Sequence, residues 1–390
     1  MTDSAPKLDD FMPGGRMAAP ADGESRKDLV GLTRAELARE MESLGEKRFR
    51  ADQIFNWIYF RGVTGFEAMT DISRPLRARL EELYRIGRPQ VVTAQVSSDG
   101  TRKWLLRLAD GNEVETVFIP EPGRGTLCIS SQVGCTLTCS FCHTGTQAWV
   151  RNLTAAEIAG QVLTARDELG EWPTPSDDRQ ITNVVLMGMG EPLFNYDHVK
   201  AAVELCKDEK GLNFSRRRIT LSTSGIVPEI RRAGAEMQVM LAISLHAARD
   251  ELRDELVPVN KRWPIKELLA ACRDYPSLSN ARRITFEYVM LKGVNDADAD
   301  ARELLRVLEG IPSKINLIPF NPWPGSRYET SEPDRVQRFG EIIRNAGIMA
   351  TIRRPRGSDI AAACGQLKSE SARVPAWKRR GETKDGHAPA

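Results

Sequence analysis

At 390 residues the chain is long enough for a substantial core and about two domains. Its 55 basic residues against 53 acidic ones leave a net charge of +2, so any affinity for nucleic acid must be local. No stretch approaches the roughly 18 apolar residues of a membrane span, and the first twenty residues carry acids early and no apolar leader. The expectation is a cytoplasmic protein without membrane attachment. Its seven cysteines then read as metal-binding, catalytic or inert, not as a disulfide scaffold.

In chain order, residues 1–27 are rich in Ala, Pro, Gly and Asp and predict a disordered tail. Residues 28–91 predict a helical accessory module. The runs TRAELAREMESLG and RADQIFNWIYFRG space apolar residues as helices do, and Thr33 three residues before Glu36 fits a capping box. Lys47, Arg48, Phe49, Arg50, Trp57, Tyr59 and Arg61 leave two readings open, an aromatic core or an RNA-binding face. Residues 92–125 predict a short β extension, with hairpin signals at Asp99-Gly100 and Asp110-Gly111. From 126 to 367 strands (126–131, 182–188, 218–223, 239–246, 283–290, 314–319) alternate with helices (154–169, 197–209, 264–274, 298–309), and IMATIRRPRG closes the series. This is an α/β pattern of parallel βαβ units. About six units are too few for an eight-fold barrel, so a partial (β/α)6 barrel is expected, with its chemistry at the C-terminal strand ends. Residues 368–390 predict a second, basic tail.

The most specific motif is Cys135-x-x-x-Cys139-x-x-Cys142. A closed structural metal site takes four protein ligands. Three thiolates on a [4Fe–4S] cluster leave one iron open for a small chelator. The competing reading is zinc completed by His143, although adjacent Cys142 and His143 would strain a tetrahedron. Other motifs fall at expected strand ends: GMGEP at 188–192, STSG at 222–225, Ser244-Leu245-His246, and Asn321. Cys364 lies in the small-residue run IAAACGQL, where a lone cysteine is usually inert.

The cysteine loop followed by GMGEP resembles the radical S-adenosylmethionine (SAM) enzymes. TLCISSQVGC, GMGEPL, LSTSG, SLHA, IPFNPWPG and ACGQL, spread over about residues 30–367, are similar to the RlmN family of RNA methyltransferases within them. That resemblance implies SAM-dependent methylation of adenosine C2 in 23S rRNA, near the peptidyl-transferase centre, and in tRNA, on the 3′ side of the anticodon. It implies two SAM molecules per turnover and one [4Fe–4S] cluster held by Cys135, Cys139 and Cys142. Gly190, Glu191, Ser222, Ser244, Leu245, His246 and Asn321 would line the SAM pocket. Cys364 would carry the methyl group and form a covalent bond to RNA. Cys128 would release the product in a thiol–disulfide-type step that leaves a disulfide bond, and Glu115 would handle the C2 proton. Cys206 and Cys272 match no catalytic motif and are expected to be inert.

Candidate phosphate contacts are Lys47–Arg50, Arg216–Arg218, Arg353–Arg356 and Lys378–Arg380. Further expectations are a monomer and a flavodoxin-like reductase as electron source. Two rivals stay open: a C8-directed adenine methyltransferase on the same scaffold, and a zinc-bound RNA-binding protein without catalysis.

Overall fold

The computed structural model describes residues 26–369 apart from Ser277 and Asn280. Most of both expected tails, and with them the basic run Lys378–Arg380, lie outside the described residues.

The chain opens with β1 (Lys27–Asp28), α1 (Arg34–Ser43), α2 (Phe49–Tyr59), α3 (Arg74–Leu83) and β2 (Tyr84–Arg85). The capping box forms: Thr33 accepts from the Glu36 amide, and the Glu36 carboxylate accepts from the Thr33 amide. The module is not purely helical, because β1 and β2 pair in parallel and close it. Along α2, Ala51, Ile54, Phe55, Ile58 and Tyr59 form the buried stripe. Phe55 and Tyr59 are therefore core, while Phe49 is 49% exposed with the Arg50 guanidinium 4.8 Å from its ring centre.

Next come β3 (Gln90–Val96), β4 (Arg102–Arg107), β5 (Glu113–Glu121) and β6 (Arg124–Cys128). A small clasp follows, β7 (Gln132–Val133) with β8 (Arg151–Asn152), then α4 (Ala155–Leu169), β9 (Asn183–Leu186), α5 (Tyr196–Lys207), β10 (Ile219–Thr223) and α6 (Val227–Glu236). The remainder is β11 (Met240–Ser244), α7 (Asp250–Leu256), α8 (Ile265–Arg273), β12 (Ile284–Met290), α9 (Asp298–Val307), β13 (Ser313–Pro319), α10 (Pro333–Asn345) and β14 (Met349–Ile352).

One ten-stranded sheet runs β14-β13-β12-β11-β10-β9-β6-β5-β4-β3. The strands from β6 to β14 pair in parallel, and the sheet stays open, as a partial barrel requires. The β extension is no separate piece. It continues the barrel sheet as an antiparallel meander beside β6. The hydrophobic core is continuous from Leu29 to Leu367. The N-terminal layer rests on the barrel helices: a Cβ on Gly211 would come within 2.8 Å of the Phe55 ring and of Tyr59 Cβ. Arg34 pairs with Asp208 at 2.6 Å, and Arg88 with Asp167 at 2.8 Å. No helix among the described residues is long and apolar enough to cross a membrane.

Candidate active site

The clasp β7–β8 closes the base of the cysteine loop. Gly134 turns there at φ +72°, where a Cβ would sit 2.3 Å from the Ala148 carbonyl oxygen. Within the loop the Cys142 amide donates to the Cys139 carbonyl and the Gly145 amide to the Cys142 carbonyl, each at 3.1 Å. These turns bring Cys135, Cys139 and Cys142 onto one cavity at the C-terminal strand ends. His143 turns away from it. Its ring stacks on Trp323, centroids 4.9 Å apart, and its Nδ1 lies 3.3 Å from the Gln366 carbonyl oxygen. No three His, Cys, Asp or Glu side chains among the described residues are gathered around a single ion position. Three thiols on one cavity wall are a donor set that a [4Fe–4S] cluster would take, leaving one iron without a protein ligand. Burial pushes the free Cys139 thiol up to about 12 and the Cys135 thiol well above its usual value. Coordination to cationic iron is the ordinary relief for such a desolvated thiolate set.

The turn after β9 forms the opposite wall. Its glycines answer to the chain itself: a Cβ on Gly188 would meet the Ile129 carbonyl at 2.8 Å, and one on Gly190, at φ +99°, would meet Gln132 Cβ at 2.5 Å. Buried Glu191 accepts from the Leu193 amide at 3.1 Å and the Ser224 amide at 2.8 Å, and burial pushes its carboxyl up to about 7. Gly190, Glu191, Ser222, Ser244, His246 and Asn321 all line the cavity. Leu245 does not. It is fully buried, and its amide and carbonyl bond Glu287 and Arg253.

Cys364 lines this cavity and an adjoining one that also holds Cys128, Arg353, Arg354 and Arg356. Asn321 Nδ2 donates to the Cys364 carbonyl at 3.1 Å, and the His143 amide to the Gly365 carbonyl at 2.8 Å. The β extension holds the rest of this segment. Lys103 donates to the Ala361 carbonyl at 3.3 Å, and Asp359 accepts from Ser97 Oγ at 2.5 Å. Burial, reinforced by facing Cys364 and opposed by Arg353, pushes the Cys128 thiol up to about 12. The disulfide expected between Cys128 and Cys364 is not present, since all seven cysteines are free.

Glu115 lines neither cavity. It is 5% exposed, pairs with Lys103 at 2.9 Å and accepts from the Lys368 amide at 2.8 Å. Lys368 and Ser369 therefore belong to the packed body, because Ser369 is buried and bonds Gln147.

The comparisons with known proteins bear on this arrangement. A family model for the ribosomal RNA large subunit methyltransferase N-terminal domain matches residues 27–86, and the radical SAM superfamily model matches residues 129–305. The chain is 61% identical over 368 residues to the dual-specificity RNA methyltransferase RlmN of Rhodospirillum rubrum, covering 93% of this chain and 86% of that one. It is 61% identical over 376 residues to the protein of the same name from Methylobacterium radiotolerans, covering 91% and 89%. The chain belongs to the RlmN family. A solved radical SAM methyltransferase from Sphaerobacter thermophilus superposes with a TM-score of 0.82 at 46% identity, covering 88% of this chain and all of that one. As a member of the RlmN family, the protein is a radical SAM methyltransferase that uses a [4Fe–4S] cluster and SAM.

Two residues of this RlmN-family chain, one behind the cavity wall and one on it, escape the sequence reading. Arg253 sits on α7, where an arginine in DELRDEL looks solvent-facing, yet it is fully buried. It donates to the carbonyls of Ser224 at 2.6 Å, Ser244 at 3.2 Å and Leu245 at 3.0 Å, tying two strand ends together. Glu287 lines the cavity from β12, and its signal was present: one acid inside the otherwise apolar ITFEYVM. Of the basic runs, Arg216, Arg217 and Arg218 are exposed, as are Lys47 and Arg48. Arg353 is partly buried and faces the cavities.

Proposed function

We propose that the chain methylates C2 of adenosine in 23S rRNA and in tRNA, with Cys364 as methyl carrier and Cys128 as the releasing thiol. The observation that carries this is the placement of Cys364 on both adjoining cavities, one lined by the three cluster thiols and the other by Cys128. Adenine C2 is an electron-poor carbon, neither nucleophilic nor bound to an acidic hydrogen, so it cannot displace a methyl group from a sulfonium. When bound at Cys135, Cys139 and Cys142, the cluster with SAM supplies hydrogen-atom abstraction. The protein's share is positional. Glu191, Ser222, Ser244, His246 and Asn321 hold SAM beside the cysteines. Cys364 exchanges its thiol proton for a methyl group and presents that carbon to the base. Arg353, whose charge is reinforced first by Cys364, stands between the two cavities. Arg354 and Arg356 at the second cavity give phosphate contacts to a target nucleotide turned out of its stack.

Glu115 as found anchors the Cys364 segment. Proton handling at C2 requires its carboxylate to exchange the Lys368 amide for the substrate. A flavodoxin-like reductase, a monomeric state and a cytoplasmic location complete the proposal. The test is incubation of the reconstituted protein with unmodified rRNA and tRNA fragments, SAM and reductant, then chromatography and mass spectrometry of the nucleosides. 2-Methyladenosine is expected in both RNAs. 8-Methyladenosine, or no methylation by an iron-loaded preparation, overturns the proposal.

A further inference from the structure

Glu287 occupies the middle of β12, whose seven residues are all buried. A carboxylate there is costly unless something uses both of its oxygens. Its register neighbours are Ser244 on β11 and Asn316 on β13, and Asn316 faces Thr351 on β14. Asn316 Nδ2 donates to Glu287 Oε1 at 2.8 Å, and Thr351 Oγ1 donates to Asn316 Oδ1 at 2.5 Å. This rung fixes one carboxylate oxygen and the tilt of the group. The other oxygen, Oε2, is buried and has no hydrogen-bond partner. Burial pushes the Glu287 carboxyl above its ordinary value; Arg353, the Asn316 bond and Lys314 oppose that shift, and none of them bonds Oε2. Glu287 also lines the cavity shared by the cluster cysteines, Ser222, Ser244 and His246. A carboxyl held at the wall of such a cavity with one oxygen unpartnered calls for a donor on the occupant.

SAM carries few donors. Its amino group belongs at the cysteine end, with the methionine portion. The remainder are two sugar hydroxyls and the 6-amino group, all on the adenosyl portion. We infer that Glu287 binds the adenosyl group of SAM, its free carboxylate oxygen accepting a hydrogen bond from a sugar hydroxyl or from the exocyclic amine. This rests on the reading that the cysteine-lined cavity holds SAM. The rung through Asn316 and Thr351 then orients the acceptor in advance, so little order has to be created on binding.

The test uses S-adenosylhomocysteine, which keeps the adenosyl group and is not a methyl donor, measured by calorimetry on the full-length, cluster-reconstituted protein. Three analogues separate the donors: 2′-deoxy, 3′-deoxy, and one lacking the 6-amino group. Charged hydrogen bonds of this kind predict that Glu287→Ala weakens S-adenosylhomocysteine binding by about tenfold to hundredfold. Glu287→Gln keeps the size, serves if the alanine variant folds poorly, and should also weaken binding. One analogue should bind the parent protein correspondingly weakly and be indifferent to the substitution, which identifies the donor. Unchanged affinity in both variants, or an equal loss with every analogue, overturns the role of Glu287 alone. Failure of the folded parent protein to bind S-adenosylhomocysteine overturns the cavity reading and this inference with it.

Discussion

His246 shows how much a single strand-end residue can be asked to do. It takes a left-handed backbone conformation, φ +59°, and its Nδ1 accepts from the Val289 amide at 3.1 Å. That bond places the ring proton on Nε2, on a residue that lines the cavity beside Phe141. Burial, with Arg253 adding to it, pulls the imidazole down to about 3 from its ordinary 6.5. A depressed folded value means that the contribution to stability is complete above 6.5 and is lost as pH falls toward 3. His246→Asn removes this titration while keeping an acceptor. The stability advantage of the parent over the variant should shrink by roughly 2 kcal/mol between pH 7.5 and pH 5. Urea denaturation at the two pH values measures it, and a constant difference would contradict the assignment. Glu191 makes a second prediction at this scale. Glu191→Ala should lower SAM affinity about tenfold or more while leaving RNA affinity near its parent value. Equal losses for both ligands would reduce Glu191 to a turn residue.

Among elements, the parallel strands were legible because each is a short apolar run and most end in a motif. The expected strands fall within a few residues of β6 and β9 to β13, and the closing element is β14. The task of the β extension was not legible. Lys103, Asp99 and Ser97 read locally as hairpin polarity, yet their partners are Ala361, Gly357 and Asp359, some 260 positions away. Local periodicity carries no information about such pairings. The same holds for Arg253, whose helical neighbours suggest solvent while three strand-end carbonyls surround it. Lys103→Met should expose this design. It leaves the buried Glu115 carboxylate without its cation, a loss of about 3–5 kcal/mol in similar pairs. Hydrogen exchange over residues 361–369 should accelerate more than in β9 or β12. Uniform acceleration would mean that Lys103 stabilises the whole fold and has no special hold on the Cys364 segment.

For the whole molecule, the sequence suggested an accessory module beside a barrel, whereas the core runs unbroken through both. Phe55 and Tyr59 cover Gly211, and the ring of Trp172 covers Gly62. Removal of residues 28–91 should therefore strip the cover from α5 and give an aggregating or molten barrel. The full chain should unfold in one transition by tryptophan fluorescence and by circular dichroism. A barrel that starts at residue 92 and melts with the parent midpoint would contradict this. The central claim concerns the two thiols on the adjoining cavities, and Cys128→Ala tests it most directly. With Cys364 intact and the cluster loaded, incubation with RNA, SAM and reductant should accumulate a protein–RNA adduct stable to denaturants and reducing agents. After ribonuclease digestion, peptide mass mapping should place the nucleotide on Cys364. No adduct in a fully iron-loaded preparation, or a nucleotide mapped to Cys206 or Cys272, would contradict the account.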